Sequence, residues 1–176
     1  QPYSHIHQPG VGVGGHCIPV YPHFLFNTDP ELRIPPLARE INEGMAAFTV
    51  RAIEERVGSL KGAPVLVLGI AYRGDVREDA FSSAFGLRDE LKAAGARVLA
   101  HDPYFDDDHL RELGFEPHVL GSGEPVRVAV LQAPHGVYAE LRPASLPGLE
   151  LFVDGRNAVD RAAWEGGGVP YVGIGR

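Results

Sequence analysis

The sequence predicts an α/β fold, a parallel sheet with helices on both faces, preceded by a loop and one long helix. Three observations carry this. Beyond residue 60, short β-branched apolar runs alternate with stretches of helical periodicity. The runs are apolar at consecutive positions rather than every second one, as in strands covered from both sides. With 176 residues, 44% of them hydrophobic and 22% charged, the chain can bury a real core and stay soluble.

The residues before Asp29, rich in Pro, Gly, His and aromatics without a sustained period, read as loop with short helical turns. Asp29-Pro30-Glu31 offers a helix start, which Pro35-Pro36 interrupts. A stronger helix is expected from about Leu37 to Val57, with Ile41, Met45, Phe48, Ala52 and Ile53 mostly at three- and four-residue spacing and Gly58 and Gly62 marking its stop. PVLVLGIAY over 64–72 reads as a buried strand, Ala80 to Ala94 as a helix through Phe81, Phe85, Leu87 and Leu91, and ARVLAHDP over 96–103 as the next strand. A short helix over Asp108 to Leu113, a strand over 126–132, a short helix over Val137 to Leu141, and strands over 149–154 and 169–175 complete the alternation. Ligands of such sheets sit beyond the carboxyl ends of the strands, which puts Tyr72-Arg73, His101-Asp102 and Gln132 to His135 on the candidate binding edge.

The bulk properties exclude several classes. No apolar run reaches the roughly 20 residues of a membrane span, and no charged segment followed by an apolar one opens the chain, so the expected location is the cytoplasm. A single Cys closes no internal disulfide. The net charge of −7 speaks against nucleic acid, so an anionic ligand has to be held by a few placed arginines or backbone N–H groups. The chain opens on QPYSHIHQPG without an initiator Met and is expected to be a piece of a longer protein.

The one cysteine lies in GVGVGGHCIPVYP, residues 10–22. Glycines before it let a ligand approach the backbone closely. Two readings stay open at Cys17: a small buried hydrophobe, or a nucleophile, which needs an exposed setting rich in N–H groups. Arg73 and Arg77 follow the first strand and offer forked donors to phosphate; the other reading is a solvated ion-pair cluster with Asp75, Glu78 and Asp79. Arg39 and Asn42, one helical turn apart, face either a site or solvent. His101, Asp102 and His135 suit a ligand edge, although Asp-Pro is also turn chemistry. His5, His7 and His16 do not match zinc spacing, and no metal is expected.

GVGGHCIPVYPHFL resembles the cysteine motif of the nucleotide-sugar dehydrogenases, the UDP-glucose and UDP-N-acetylmannosamine dehydrogenase family. AREINEGM over 38–45, VLVLGIAYRGDVRED over 65–79, HDPYF over 101–105, the late His135, DGRN over 154–157 and YVGIGR over 171–176 follow in the family's order. His before the Cys and Ile-Pro after it are similar to the branch acting on UDP-N-acetylhexosamines.

The resemblance implies the end of a central helical and dimerisation domain over 1–60, and a UDP-binding, Rossmann-like C-terminal domain over 61–176. The domain that holds NAD in this family is expected elsewhere, in keeping with the lack of a strand-GxGxxG-helix fingerprint, and the fragment alone is not expected to turn over. The implied reaction oxidises the C6 alcohol of a UDP-sugar twice, to a uronic acid for surface polysaccharide, through a thiohemiacetal and a thioester on the cysteine. Carried over by position, Cys17 and Tyr21 are the catalytic candidates. Gly12, Gly14, Gly15, His16 and Arg73 are expected to bind the substrate, and Arg77 the phosphates of NAD. A homodimer, paired through the helix bearing Ile41, Met45 and Phe48, is expected too. One position departs from the pattern: Tyr21 stands where the family has an Asp that positions the hydrolytic water, and a phenol is a poor base near neutral pH. Three rival readings follow, namely a catalytically degenerate nucleotide-sugar-binding module, a thiol hydrolase built on Cys17, and a purely structural dimerisation unit.

Overall fold

Successive side chains of a strand point to opposite faces, and here both faces are covered. In the computed structural model, which describes residues 9–175, β1 (Pro64–Leu68) turns Val65 and Val67 into one apolar cluster and Leu66 and Leu68 into another. The other strands are β2 (Arg97–His101), β3 (Glu116–Pro117), β4 (Val128–Leu131), β5 (Leu151–Asp154) and β6 (Tyr171–Gly173). They form one six-stranded sheet in the order β3-β2-β1-β4-β5-β6, every neighbouring pair parallel. The helices are α1 (Cys17–Thr28), α2 (Ile34–Val57), α3 (Ser83–Ala93), α4 (Asp107–Glu112) and α5 (Arg161–Gly166).

On the first face Leu87 and Leu91 of α3 join Val50 and Ile53 of α2 over Val65, Val67, Val128 and Val153. On the second, Trp164 of α5 stacks on Phe152 with ring centroids 3.7 Å apart, beside Tyr138 and Leu66. Each fully buried Leu, Val or Phe contributes about 1.5–3 kcal/mol, so both layers hold the sheet. No helix among the described residues is long and apolar enough to cross a membrane.

The observed elements correct the sequence reading in several places. The stretch expected as loop carries the 12-residue helix α1. Pro19 sits in its first turn, where a missing N–H leaves nothing unpaired. Pro22 lies inside it and frees only the carbonyl of Ile18, whose residue is exposed to water. Asp29 caps the end of α1 rather than starting a helix, and Pro35-Pro36 open α2 instead of interrupting it. The first strand stops at Leu68 because Gly69 turns the backbone at φ 81. The next helix begins at Ser83, capped by the Ser82 side chain; Phe81, expected on its buried face, precedes it at φ 51 and is exposed. Residues 136–140 form a 3-10 turn. β3 and α5, two and six residues long, are too short to show a period.

Candidate active site

The strand order reverses between β1 and β4, and the crevice beyond their carboxyl ends is where sheets of this order bind ligands. A cavity of about 290 Å³ opens there, lined by Val13, Gly14, Ile18, Tyr72, Arg73 and Arg156 among others. The loop after β1 forms one wall, and the glycine loop ahead of α1 another.

The glycines are required by contact. A Cβ on Gly14 would lie 2.6 Å from the Phe81 carbonyl oxygen, and one on Gly15, at φ 91, 3.1 Å from the Tyr72 ring. Gly12, at φ 148, packs against Ser83. Asn42 of α2 clamps the loop: the Val13 N–H donates to its Oδ1 at 2.8 Å, and its Nδ2 donates to the Val13 carbonyl at 3.2 Å. Its neighbour Arg39 lines a second cavity of about 340 Å³ between α2 and the start of α3.

Arg156, absent from the residues expected at the site, staples the crevice together. Its Nη1 donates to the Gly12 carbonyl at 2.8 Å, its Nη2 to Ser83 Oγ at 3.2 Å, and its Nε to the Gln132 carbonyl. Burial pushes its pKa down to about 10, against the pull of Asp154, so it stays charged at neutral pH. Its signal in the sequence was DGRN: a strand-ending Asp turns inward to accept the N–H groups of Arg156, Ala158 and Val159, which aims the following arginine back over the strand ends.

Cys17 is the first residue of α1 and is exposed, so the buried-hydrophobe reading does not hold. His16 occupies the cap position without its side chain capping; its Nε2 lies 3.7 Å from Glu78. The first-turn N–H groups of a helix have no partner within it, and Pro19 has none to offer, which leaves those of Cys17 and Ile18 without a partner inside α1. Tyr21, 60% exposed, lines one shallow open hollow with Cys17 and Ile18. Ile18 also lines the cavity at the strand-order reversal, so the hollow and the cavity meet at that side chain.

Arg73 lines the cavity and Arg77 does not; the Arg77 guanidinium stands 6.0 Å above the Phe105 ring. The alternative, an ion-pair cluster with these arginines, is not what forms, because the acids turn to histidines: Asp75 to His135, Glu78 to His16 and Asp79 to His109. Asp102 and His135, placed on the ligand edge by sequence, are buried. Asp102 accepts the N–H groups of Ile70, Ala71 and Tyr104 and faces His135 Nε2 at 3.0 Å. Burial disfavours its charge, but the hydrogen bonds from His135, Tyr104 and Ile70 outweigh that and hold the carboxyl below the usual carboxylate range. His101 is tied to Tyr138, whose hydroxyl donates to the His101 carbonyl at 2.7 Å.

This geometry also tests the crevice against a dinucleotide. Sheets that bind one offer an acid at the end of β2 to the ribose and a glycine turn after β1 to the pyrophosphate. Here the β2-end acid already has four hydrogen-bond partners inside the protein, and the segment after β1, GIAYRG, is not the GxGxxG turn that such sheets offer. The crevice does not fit NAD.

A family model described as the UDP-glucose/GDP-mannose dehydrogenase family, UDP binding domain, matches residues 66–161. The UDP-N-acetyl-D-mannosamine dehydrogenase of Methanocaldococcus jannaschii is 27% identical over 170 residues, which is 93% of this chain and 39% of that protein. The protein of the same name from Campylobacter jejuni is 35% identical over 104 residues, 58% of this chain and 26% of its own. Among solved structures, the NDP-N-acetyl-D-galactosaminuronic acid dehydrogenase of Methanosarcina mazei Go1 superposes with a TM-score of 0.80 at 30% identity, over 97% of this chain and 40% of that one. The UDP-N-acetyl-mannosamine dehydrogenase of S. aureus gives 0.76 at 30%, over 99% and 41%. The chain therefore spans no more than 41% of the length of these relatives.

Proposed function

Because the chain belongs to the UDP-glucose/GDP-mannose dehydrogenase family, we propose that it is the UDP-sugar-binding and thiol-bearing part of an NAD-dependent UDP-sugar 6-dehydrogenase. The substrate class we propose is a UDP-N-acetylhexosamine, supported by relatives named for UDP-N-acetyl-D-mannosamine. One observation carries the reading: the cavity at the strand-order reversal is flanked by Arg73 and Arg156 and meets the hollow holding Cys17 at Ile18.

In this reading the two guanidiniums take the diphosphate, and the sugar extends past Ile18 so that its C6 reaches the thiol. NAD, held mainly outside these residues, supplies the oxidising chemistry when bound; Arg77, exposed beside Phe105, is kept as a contact to its phosphates. What this chain does is hold the carbon between the two oxidations. The Cys17 thiolate adds to the C6 aldehyde, forming a C–S bond while the carbonyl oxygen gains a proton. The first-turn N–H groups of Cys17 and Ile18 suit the oxygen while it carries charge. Once that carbon is at the thioester level, water attacks it, the C–S bond breaks and Cys17 leaves as the thiolate. Tyr21 has a hydroxyl one turn away that orients this water by hydrogen bonding without serving as its base. Dimerisation through α2 belongs to the same proposal: Ile34, Leu37, Ile41 and Phe48 are exposed on it, whereas Met45 turns toward the core.

The test is NADH formed per sugar by the full-length protein with UDP-N-acetylmannosamine, UDP-N-acetylglucosamine, UDP-N-acetylgalactosamine and UDP-glucose. Two NADH from an N-acetylhexosamine, lost in Cys17→Ser, are expected; retained oxidation in that variant removes Cys17 from the mechanism. The exposed Tyr21 favours a second reading, a degenerate sugar-binding module, and UDP-sugar binding without any NADH selects it.

A further inference from the structure

We propose that Asp102, His135 and Asp75 form a positioning relay that fixes the Tyr72–Gly74 wall, and Arg73 with it, over the cavity. This rests on the reading of Arg73 as a diphosphate contact. None of the three lines the cavity itself.

The segment from Ile70 to Asp75 is gripped at both ends by one continuous chain of side chains. At its base, Asp102 Oδ2 accepts the N–H groups of Ile70 at 2.8 Å and Ala71 at 3.2 Å. The same oxygen lies 3.0 Å from His135 Nε2, and both side chains are 0% exposed. At the far end, His135 Nδ1 accepts the Asp75 N–H at 2.9 Å. A ring nitrogen that accepts carries no proton, so the proton sits on Nε2 and is donated to Asp102. The tautomer is thus set by the two bonds together. Asp75 is held at φ 56, and its Oδ1 accepts the Gly136 N–H at 2.9 Å. Between the two grips, a Cβ on Gly74 would lie 2.4 Å from the Pro134 carbonyl oxygen, so the wall touches the loop after β4 backbone to backbone.

Arg73 itself is exposed, and its guanidinium rests 5.7 Å above the Tyr72 ring. A long side chain with so little lateral support is aimed by its backbone. The relay is what holds that backbone, and it does so from the segments that follow β2 and β4, the strands on the two sides of β1.

Two substitutions split the relay. His135→Gln places an amide N–H where Nε2 stands and keeps the bond to Asp102, but leaves the Asp75 N–H without an acceptor. His135→Asn places an amide oxygen near Nδ1 and keeps the Asp75 bond, but deprives Asp102 of a donor. In the chain, the readouts are UDP affinity by calorimetry, Tm, and hydrogen exchange of the amides over 72–76. The Gln variant is expected to bind UDP about five- to tenfold more weakly, one hydrogen bond's worth, with faster exchange at Gly74 and Asp75. The Asn variant is expected to lose Tm yet keep UDP affinity within about twofold. Equal losses of affinity in both, or none in the Gln variant, overturn the relay. If either fails to fold, Asp75→Gly, at an exposed residue already in the left-handed region, is expected to weaken UDP about threefold at unchanged Tm; unchanged affinity overturns the relay. If the unsubstituted chain does not bind UDP, the proposed function falls, and the relay is judged by exchange alone: faster in Gln than in Asn supports it, equal rates refute it.

Discussion

Replacing Arg156 by Ala tests whether one guanidinium unites the crevice. The side chain donates to the Gly12 carbonyl, to Ser83 Oγ and to the Gln132 carbonyl, which belong to the glycine loop, the start of α3 and the end of β4. Hydrogen bonds with a charged partner contribute about 1.5–3 kcal/mol each. Gln132 and Gly12 are buried, so their carbonyls gain little water in exchange. Three such bonds, discounted for the partial exposure of Arg156, give an expected loss of about 3–5 kcal/mol. That is a large share of the roughly 5–15 kcal/mol by which a domain is stable. Arg156→Lys keeps the charge but not the fork and is expected to lose about half as much. Urea unfolding at equilibrium reads both, and a double-mutant cycle with Ser83→Ala is expected to show coupling of about 0.5–1 kcal/mol. A loss under about 1 kcal/mol for Arg156→Ala, with no coupling to Ser83, refutes the staple.

Gly14→Ala puts a methyl group 2.6 Å from the Phe81 carbonyl oxygen, and since that neighbour is backbone the loop has to move; about 1–3 kcal/mol of stability and most of the UDP affinity are expected to go, both read by calorimetry. For pH, burial holds the imidazoles of His101 and His118 below their ordinary range, with Asp102 and Glu124 respectively opposing it. Unfolded, both protonate near pH 6.5, so the unfolded state binds more protons and stability falls as pH drops from about 7 toward 5, by at most about 1.4 kcal/mol per pH unit per ring. Asp102, whose carboxyl is held low, adds a further loss below about pH 4. Urea midpoints across this range check both steps, and a flat profile from pH 7 to 5 would show that the two rings charge freely when folded.

Much of the fold was legible because apolar runs on β1, β2, β4 and β5 need two covers, and the helical stretches between them supply one each. The β3 edge was not: it pairs only two residues with β2, so no period exists to be read. Proline misled twice in the same way. Pro19 and Pro35 break helices only in their interiors, and each stands in a first turn. The glycine loop and Arg73 were visible as residue types able to meet a phosphate. Asn42 was legible as facing either a site or solvent, and its partner Val13, 29 residues away, decides between them; Arg156 was not singled out, because its role comes from a partner 144 residues away. Asp102 shows the converse. A strand-end acid looks available in sequence, and only the fold reveals four hydrogen-bond partners already around it.

That separation of 144 residues between Gly12 and Arg156 has a consequence for how the protein comes into being. At about 5–20 residues per second of synthesis, the loop preceding Cys17 emerges roughly 7–30 seconds before the arginine that fastens it. Contacts this distant in the chain form late, because their loop entropy is lost before the contact stabilises anything. Through that interval β1 and α3 have time to pair, but the glycine loop has nothing to close on. A ribosome stalled between residues 17 and 156 therefore releases a chain whose thiol is made and whose crevice is not.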